Sequence, residues 1–398
     1  MLYRLPVIFA LACLLVSCAT QSPSYQAGTP CEAETYTVVD NFAGARRGRC
    51  VVLSDNHVRI RILPEDDGYI NDSPWFAFKV VPRAATTATI TIDYFGGHHR
   101  YVPKISRDGL HWSSISGDDL DESRDGKQAS FTVETGETPF WVSAQEILTP
   151  RYYEVWNRKM AATGRANVTI LGESLGKRPI AMLQNNPSAD NVLFLVGRQH
   201  PAEVTGAIAL FAFYETLLAD TKLATEFRQH VNIVAIPLLN PDGVIGGNWR
   251  HNLGGTDLNR DWGPFKQPET KLIRALLDEL DSNGKKVRVF LDFHSTQKNV
   301  FYTQNDEYPT TPALFTRTWL DNARPRIQNY DYGNQENPAD KPGVAKNYMY
   351  KRYGIPSSTY EVGDETDRAA IREAAKVFAE ELMLLMLEQD YRSPPDVI

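Results

Sequence analysis

The apolar and polar positions divide the chain into two parts with different patterns. Between residue 31 and about residue 144, short alternating or β-branched runs are separated by clusters of Gly, Asp, Asn and Pro, and no long helical spacing appears. This pattern predicts an antiparallel β-sandwich. The runs expected to form its strands are residues 58–63, 75–81, 86–94, 130–133 and 140–142.

After Pro150, apolar runs typical of strands alternate with helical spacing, as in an α/β domain with a mixed sheet. The longest predicted helix, 369–387, carries its apolar residues on one face, which predicts packing of that face against the core. We therefore expect a β-sandwich domain over residues 31–147 and an α/β domain over residues 148–392. Strands are expected at 191–196, 231–237, 287–293 and 355–362, and the other two helices at 204–218 and 269–280.

The first 18 residues are typical of a secretory signal, because Arg4 precedes an apolar run at 5–16 that is too short to cross a membrane. Residues 15–18, Leu-Val-Ser-Cys, resemble a bacterial lipobox. That resemblance implies cleavage before Cys18, which becomes the lipid-modified N-terminus of an exported cell-envelope lipoprotein, periplasmic and anchored in the outer membrane. An ordinary cleaved signal, discarded with both of its cysteines, is the alternative. Residues 19–30 are rich in Ser, Pro, Gly, Thr and Gln, which predicts a flexible tether.

Composition and charge narrow the classes of function. The 398 residues are 42% hydrophobic, enough for two ordinary cores, and a formal charge of −7 with a pI near 5.7 argues against binding to nucleic acid. After loss of the signal and modification of Cys18, only Cys31 and Cys50 remain as unmodified cysteines. They either pair across an N-terminal hairpin, because an exported protein meets oxidising conditions, or stay as two buried thiols.

Three separated segments carry residues suited to one metal site. His200 and Glu203 lie three apart at the end of a predicted strand and the start of a predicted helix, a spacing that lets both side chains face one point. His294 and Glu361 end two further predicted strands, and ligands collect at the strand ends of α/β sheets. Two histidines and a glutamate are a zinc ligand set, and the second glutamate is suited to act as general base. Each of these pieces taken alone is more often structural.

A second group of polar residues lies at positions 257–260, Asp-Leu-Asn-Arg. A metal-bound histidine usually donates its other ring N–H to a carboxylate, and Asp257 is a candidate for that role beside His200. Asn259 and Arg260 suit a substrate carboxylate, because the arginine fork can bind both of its oxygens. The alternative is a solvated salt bridge on a loop.

Together these segments resemble the zinc metallocarboxypeptidases, and most of all the cytosolic carboxypeptidase branch, which removes glutamates from protein tails. The shared motifs, in the family's order, are His-Pro-Ala-Glu, Asn-Pro-Asp-Gly-Val-Ile-x-Gly-Asn-x-Arg, Asp-Leu-Asn-Arg-Asp-Trp, Asp-Phe-His-Ser and the final Tyr-Glu. Each motif alone is weak, whereas their joint order is highly specific. The resemblance covers residues 150–390. It extends more loosely to the β-sandwich, because that branch also has one directly before its catalytic domain.

The resemblance implies chemical roles at the matching positions. His200, Glu203 and His294 would bind zinc. Glu361 would take the proton from the attacking water and later deliver it to the leaving amine. Arg250, the last residue of the motif that begins at Asn240, would stabilise the oxyanion of the tetrahedral intermediate.

The resemblance also implies residues that hold the substrate. Asn259 and Arg260 would bind the C-terminal carboxylate, which makes the enzyme an exopeptidase. Lys346 lies in the segment where the deglutamylating branch has a basic residue, so it either receives an acidic side chain or is an ordinary surface lysine. The family also uses a tyrosine before the catalytic glutamate, for which the chain offers four candidates: Tyr330, Tyr332, Tyr348 and Tyr350.

The function expected from the sequence is hydrolysis of the C-terminal peptide bond of peptides by a zinc metallocarboxypeptidase, with a preference for acidic C-terminal residues. Its partners would be peptides with a free C-terminus, with no nucleic acid, and the membrane only through the N-terminal lipid anchor. Three alternatives stay open. They are a carboxypeptidase acting on peptidoglycan stem peptides, an amidoacylase of the aspartoacylase or succinylglutamate desuccinylase type, and an inactive module that binds peptide ends.

Overall fold

The structure is a computed structural model that describes residues 28–63, 65, 74–305 and 307–389. The predicted signal, the lipidation site Cys18 and most of the predicted tether lie outside the described residues. The last residues of that tether are bound to the sandwich: the Gly28 backbone N–H donates to Asp40 Oδ1 at 3.0 Å, and Arg47 donates to the Thr29 carbonyl.

The first part of the chain forms two facing β-sheets. One sheet has six strands in the order β1-β2-β5-β11-β7-β8, and the other has five in the order β3-β4-β6-β10-β9. Apolar side chains alternate along the inner strands and form one shared core, as the sequence pattern predicts. The strands are β1 (Cys31–Glu32), β2 (Tyr36–Val39), β3 (Arg49–Ser54), β4 (His57–Ile62), β5 (Ala77–Pro82), β6 (Thr87–Tyr94), β7 (Lys104–Ser106), β8 (Ser113–Ser114), β9 (Leu120–Glu122), β10 (Gln128–Glu134) and β11 (Phe140–Ser143).

The predicted sandwich is confirmed, with one departure from antiparallel pairing among the described strands. β4 and β6 pair in parallel, with Val58 opposite Ile90 and Ile60 opposite Ile92. The intervening strand β5 belongs to the other sheet. The chain therefore crosses to the opposite sheet and returns, so it enters β6 in the direction of β4.

Cys31 and Cys50 form a disulfide. Cys31 lies in β1 and Cys50 in β3, and these strands belong to different sheets. The predicted pairing is confirmed, but it does not cross a hairpin, and the alternative of two free thiols is wrong. The disulfide joins the two sheets, because the chain between β2 and β3 passes from one sheet to the other.

The second part of the chain is a mixed eight-stranded sheet in the order β12-β13-β15-β14-β16-β19-β17-β18. Its central strands are parallel and almost fully buried, and strands covered on both faces are apolar throughout. The α/β prediction with a mixed sheet is therefore confirmed. The strands are β12 (Asn167–Glu173), β13 (Pro179–Gln184), β14 (Asn191–Gly197), β15 (Val231–Ile236), β16 (Lys286–Thr296), β17 (Val300–Gln304), β18 (Gly333–Asn337) and β19 (Ser357–Gly363).

Helices cover both faces of this sheet. α2 and α8 pack on one face in a core that includes Leu193, Phe293 and Tyr360, and α5 and α7 pack on the other face against Phe194 and Phe290. In the described part of the chain no single helix has the length and apolar content to cross a membrane, and α2 with α3 meets that test only as a pair bent by 91°. The helices are α1 (Pro150–Ala162), α2 (Val204–Leu217), α3 (Lys222–His230), α4 (Pro241–Ile245), α5 (Pro268–Ser282), α6 (Phe315–Ala323), α7 (Ala345–Tyr353) and α8 (Arg368–Glu388).

Candidate metal and catalytic site

The candidate site lies where three neighbouring parallel strands end. β14, β16 and β19 run in the same direction, so their carboxyl ends meet at one edge of the sheet. His200 follows the end of β14, His294 lies near the end of β16, and Glu361 lies near the end of β19. His294 and Glu361 are direct partners in the strand pairing. The topology therefore brings together the segments that the sequence analysis selected.

Three side chains converge at this edge with geometry suited to a metal ion. Candidate ligand atoms of His200, Glu203 and His294 all lie within 4.8 Å of one another. Glu203 Oε1 lies 2.8 Å from His200 Nδ1, and Glu203 Oε2 lies 2.7 Å from His294 Nδ1. Burial raises the pKa of Glu203, but the two histidines lower it by a larger amount. The pKa therefore falls below its usual range and the carboxylate stays charged. Two imidazoles with Nδ1 facing one carboxylate fit a His2Glu zinc site.

Each histidine also contacts a carboxylate on its outer side. Asp257, predicted for this role, lies with its Oδ1 2.9 Å from His200 Nε2. Asp292 Oδ2 lies 2.7 Å from His294 Nε2, a partner that the sequence analysis missed. With Nε2–H donating to a carboxylate, the ring presents Nδ1 to the metal.

Asp292 is fully buried and is itself held in place. Gln199 Nε2 donates to Asp292 Oδ2 at 2.7 Å, and Trp262 Nε1 donates to Gln199 Oε1 at 2.9 Å. A signal for Asp292 was present in the sequence. Residues 292 and 294 are two apart on one strand, so their side chains lie on the same face.

Asp257 joins the metal site to Arg250, predicted to stabilise the oxyanion, and to Arg260, predicted to bind the substrate carboxylate. Arg250 Nε donates to Asp257 Oδ2 at 2.7 Å, and Arg260 Nη1 lies 4.0 Å from the same oxygen while donating to the Asn259 carbonyl at 2.7 Å. Burial raises the pKa of Asp257, but His200 and the two arginines lower it well below its usual range. A charged Asp257 therefore orients both His200 and Arg250.

Asn259 is buried, and its amide is engaged within the protein. Its Oδ1 accepts from the Ala345 backbone N–H at 2.8 Å, and its Nδ2 lies 3.3 Å from His294 Nε2. Because His294 Nε2–H donates to Asp292, the second distance is a close contact rather than a hydrogen bond. Asn259 therefore ties the start of α7 to the metal site.

Lys346 lies in the first turn of α7 and only 5% of its surface is exposed. The surface-lysine interpretation is therefore wrong. Its Nζ donates to Asn347 Oδ1 at 3.0 Å, and burial lowers the pKa of Lys346 to about 8. Its hydrogen-bond partner is neutral, and the opposite charge of Asp340 offsets only part of the effect of burial on this ammonium.

Glu361 has a buried Oε2 without a hydrogen-bond partner among the described residues, a feature that it shares with Asp292 Oδ1. Burial and the nearby Glu203 raise the pKa of Glu361 to about 7, while His294 and His200 act in the opposite direction. This carboxyl group can therefore exchange a proton near neutral pH.

Within the described residues, the hydroxyl groups of the four tyrosine candidates are bound elsewhere. They contact, respectively, the Tyr360 hydroxyl, the Leu320 carbonyl, Arg352 and the Pro309 carbonyl. A different phenol, Tyr302, shares a sheet face with Glu361, because Tyr302 pairs with Thr359 and Val300 pairs with Glu361. Burial and the charge of Glu361 raise the pKa of Tyr302. Tyr302 stands eight residues after His294, on a strand that the sequence analysis did not predict.

Comparisons with known proteins agree with this geometry. A zinc carboxypeptidase family model matches residues 153–382, more than half of the chain. The chain is 35% identical to cytosolic carboxypeptidase 1 of Danio rerio over 142 residues. The aligned region covers 34% of this chain and 12% of that protein. It is 30% identical over 148 residues to cytosolic carboxypeptidase 6 of Mus musculus, covering 34% of this chain and 27% of that protein. The chain thus spans only a minor part of the curated relatives it matches.

Solved structures share the fold over nearly the whole chain. A metallo-carboxypeptidase from Burkholderia cenocepacia superimposes with a TM-score of 0.73 at 18% identity, covering 88% of this chain and 98% of that one. A metallo-carboxypeptidase from Pseudomonas aeruginosa, in complex with (2-guanidinoethylmercapto)succinic acid, gives a TM-score of 0.72 at 20% identity, covering 88% and 99%. At these identities the likeness shows the fold. With the family match and the His2Glu geometry, it follows that this chain belongs to the zinc carboxypeptidase family, whose cofactor is Zn²⁺.

Proposed function

We propose that this protein is a zinc-dependent carboxypeptidase that hydrolyses the C-terminal peptide bond of peptides. The observation that carries the proposal is the position of Glu361. It pairs directly with His294 across two strands, and its Oε2, which has no hydrogen-bond partner among the described residues, lies beside three converging donors. A carboxyl group with a pKa near 7 is suited to accept a proton from the attacking water and return it to the leaving amine. Zinc, when bound, supplies Lewis-acid activation of the water and the scissile carbonyl.

The arginines beside Asp257 support the same reaction. Arg250 uses its Nε for Asp257, which fixes the guanidinium plane and leaves its two Nη groups for the developing oxyanion. Arg260 is 40% exposed along its side chain and is assigned to the substrate carboxylate. We assign Asn259 to positioning Arg260 and α7 as well as to substrate contact, because its amide oxygen is already bound to Ala345.

The preference for acidic C-terminal residues is proposed from Lys346. Its ammonium group is buried with a neutral hydrogen-bond partner, and Asp340 offsets only part of the effect of burial, so an incoming carboxylate would supply further opposite charge. The names of the cytosolic carboxypeptidase relatives agree with peptide C-termini as substrates.

The experiment that tests the reaction is mass spectrometry of peptides ending in Glu, Asp, Lys, Leu and D-Ala, incubated with zinc-loaded protein. We expect stepwise loss of single C-terminal residues, and a Glu361→Gln variant slower by roughly 10² to 10⁴ fold with zinc still bound. Wild-type protein that cleaves no peptide would refute the proposal. Cleavage restricted to acylated amino acids would favour an amidoacylase, and release of D-Ala from muropeptides would favour a role on peptidoglycan.

Lys346→Met tests the specificity, with Lys351→Met on the exposed side of the same helix as its control. We expect Lys346→Met to lose most of the preference for Glu over Leu, and Lys351→Met to keep it. In the wild type, KM for Glu-terminated peptides should rise as the pH passes about 8, because Lys346 then loses its proton. A KM for Leu-terminated peptides that rises equally over that range would contradict this assignment.

We also propose that the protein is exported and lipid-modified at Cys18. The lipobox-like sequence supports the proposal, and so does the Cys31–Cys50 disulfide, because disulfides persist mainly in oxidising compartments. Labelling with a radioactive fatty acid in a bacterial host should mark the wild-type chain and fail to mark Cys18→Ala. Labelling that survives this substitution would exclude Cys18 as the attachment site.

A further inference from the structure

Arg100, a residue of the β-sandwich, lies between two parts of the candidate site: the ends of the strands that carry His294 and Glu361, and the segment that carries Arg250. Its Nε donates to Asp364 Oδ2 at 2.8 Å, and its Nη2 lies 3.5 Å from the Ser295 carbonyl oxygen. Ser295 directly follows His294, and Asp364 lies three residues after Glu361. Arg100 therefore contacts the ends of both strands that carry the second histidine ligand and the proposed base.

The other side of the Arg100 guanidinium faces aromatic rings. It lies 5.2 Å from the ring centre of Tyr101 and 5.4 Å from that of Trp249, and Trp249 Nε1 donates to the Tyr101 hydroxyl at 3.0 Å. Trp249 immediately precedes Arg250, which holds Asp257. Through these contacts Arg100 also borders the segment that carries Arg250, whose partner Asp257 contacts His200.

The contact is buried, so it constrains the structure. The Asp364 side chain is 4% exposed and that of Arg100 is 17% exposed. Burial raises the pKa of Asp364 to about 6 against the opposing effect of Arg100. Loss of one partner of a buried ion pair leaves an uncompensated charge, which destabilises proteins strongly.

A second sandwich residue supports the Arg250 segment. Glu65 accepts the backbone N–H groups of Arg250 at 3.0 Å and of His251 at 2.8 Å. Ala202, between His200 and Glu203, packs within the sandwich core. The sandwich thus contacts the segments that carry His200 and Glu203, Arg250, His294 and Glu361.

We infer that Arg100 is a positioning residue of the catalytic centre, and that the β-sandwich is for this reason a structural part of the active site. The inference rests on the proposed function for the identity of Glu361 as base. Arg100 acts through Ser295 and Asp364 on the placement of His294 and Glu361, and it does not itself contact the reacting atoms.

The test uses the full-length chain with Arg100→Ala, Arg100→Lys and the double variant Arg100→Ala/Asp364→Asn. We expect Arg100→Ala to lower kcat at least tenfold with KM changed less than threefold, because a displacement of about 1 Å can lower turnover on the order of 10²-fold. Arg100→Lys should restore part of kcat. The double variant should recover thermal stability, since the buried charge is gone, and should not recover kcat.

Lys104→Ala is the matched control, because Lys104 pairs with Glu365 at 3.0 Å across the same interface and contacts neither Ser295 nor Asp364. We expect it to lower Tm and to keep kcat within twofold. An equal loss of kcat in Lys104→Ala would show general loosening of the interface and overturn the inference, as would unchanged kcat in Arg100→Ala.

A readout independent of substrate separates this inference from the proposed function. In Co²⁺-substituted protein, the visible absorption spectrum reports the geometry of the ligands. We expect Arg100→Ala to change that spectrum and Lys104→Ala to leave it as in the wild type. A wild type without peptidase activity would refute the proposed function, and the spectral difference would still support the positioning role. Identical spectra in wild type and Arg100→Ala would overturn the inference.

Discussion

At the scale of single residues, the site is ordered by carboxylates on the outer side of its histidines. Asp257 and Asp292 each accept from an Nε2–H, so both rings present Nδ1 to the same point. Without these partners an imidazole can rotate or change tautomer, and part of the binding energy of the metal would be used to order it. The site is therefore formed before the metal enters.

Asp292→Asn tests this ordering at the partner that the sequence analysis missed. We expect zinc affinity to fall about 10- to 100-fold, because the amide is a weaker acceptor and no longer fixes the His294 tautomer. Competition with a chromophoric chelator measures the change. Asp261→Asn is the control, since Asp261 is also buried but accepts from Gln267 and Thr270 and contacts neither histidine. Equal zinc affinities in Asp292→Asn and the wild type would contradict the assignment.

The sequence predicted some residues of the site and missed others for a physical reason. His200 and Glu203 are three apart, and Asp257 falls in a short polar motif, so local spacing carries the information. Arg100 meets Ser295 across 195 positions, and Glu65 meets Arg250 across 185. Such contacts depend on how two folded units pack together, which no local pattern records.

At the scale of elements, the start of α2 and the end of β16 lie unusually close. A Cβ atom built on Gly206 would lie 2.3 Å from the His294 carbonyl oxygen, far inside van der Waals contact. The Gly206 backbone N–H instead donates to Ser295 Oγ at 2.9 Å. Because Gly206 has no side chain, the start of α2 can lie close to β16, and Glu203, which directly precedes α2, lies beside His294.

Gly206→Ala should therefore separate α2 from β16. We expect destabilisation of roughly 1 to 3 kcal/mol, typical of overpacking, together with a loss of tight zinc binding. Thermal unfolding and zinc stoichiometry measure both effects. Gly117→Ala is the control, because nothing lies within 4 Å of a Cβ there. Wild-type zinc affinity in Gly206→Ala would mean that the close approach is not needed for the site.

The sequence predicted some helices and strands accurately and missed others. The long helices α2, α5 and α8 were predicted to within two residues of their observed ends, because α5 and α8 each have an apolar face and α2 is apolar along almost its whole length. The short helix α7, which carries Lys346, was not predicted, since nine-residue helices depend on tertiary packing. The edge strands β12 and β18 were missed for a related reason: most of their residues are not buried, so no apolar run marks them.

At the scale of the whole molecule, the metal site couples metal binding to protonation. Burial lowers the pKa of His200 and of His294, but the surrounding carboxylates outweigh it and raise both, that of His294 well above its ordinary value. In metal-free protein these raised pKa values favour the protonated imidazoles, which contact Glu203. Zinc must displace those protons, because only a neutral imidazole can be its ligand.

This coupling predicts how the stabilisation by zinc depends on pH. A raised histidine pKa stabilises the metal-free fold fully below about pH 6.5, the unfolded value, and that stabilisation is lost as the pH rises through the folded pKa. Glu361, with its pKa near 7, adds an unfavourable buried charge over the same range. The difference in Tm between zinc-loaded and chelated protein should therefore grow from pH 6 to pH 8. His294→Ala should show little zinc-dependent shift at any pH, and a difference that stays constant with pH in the wild type would mean that zinc does not bind through these histidines.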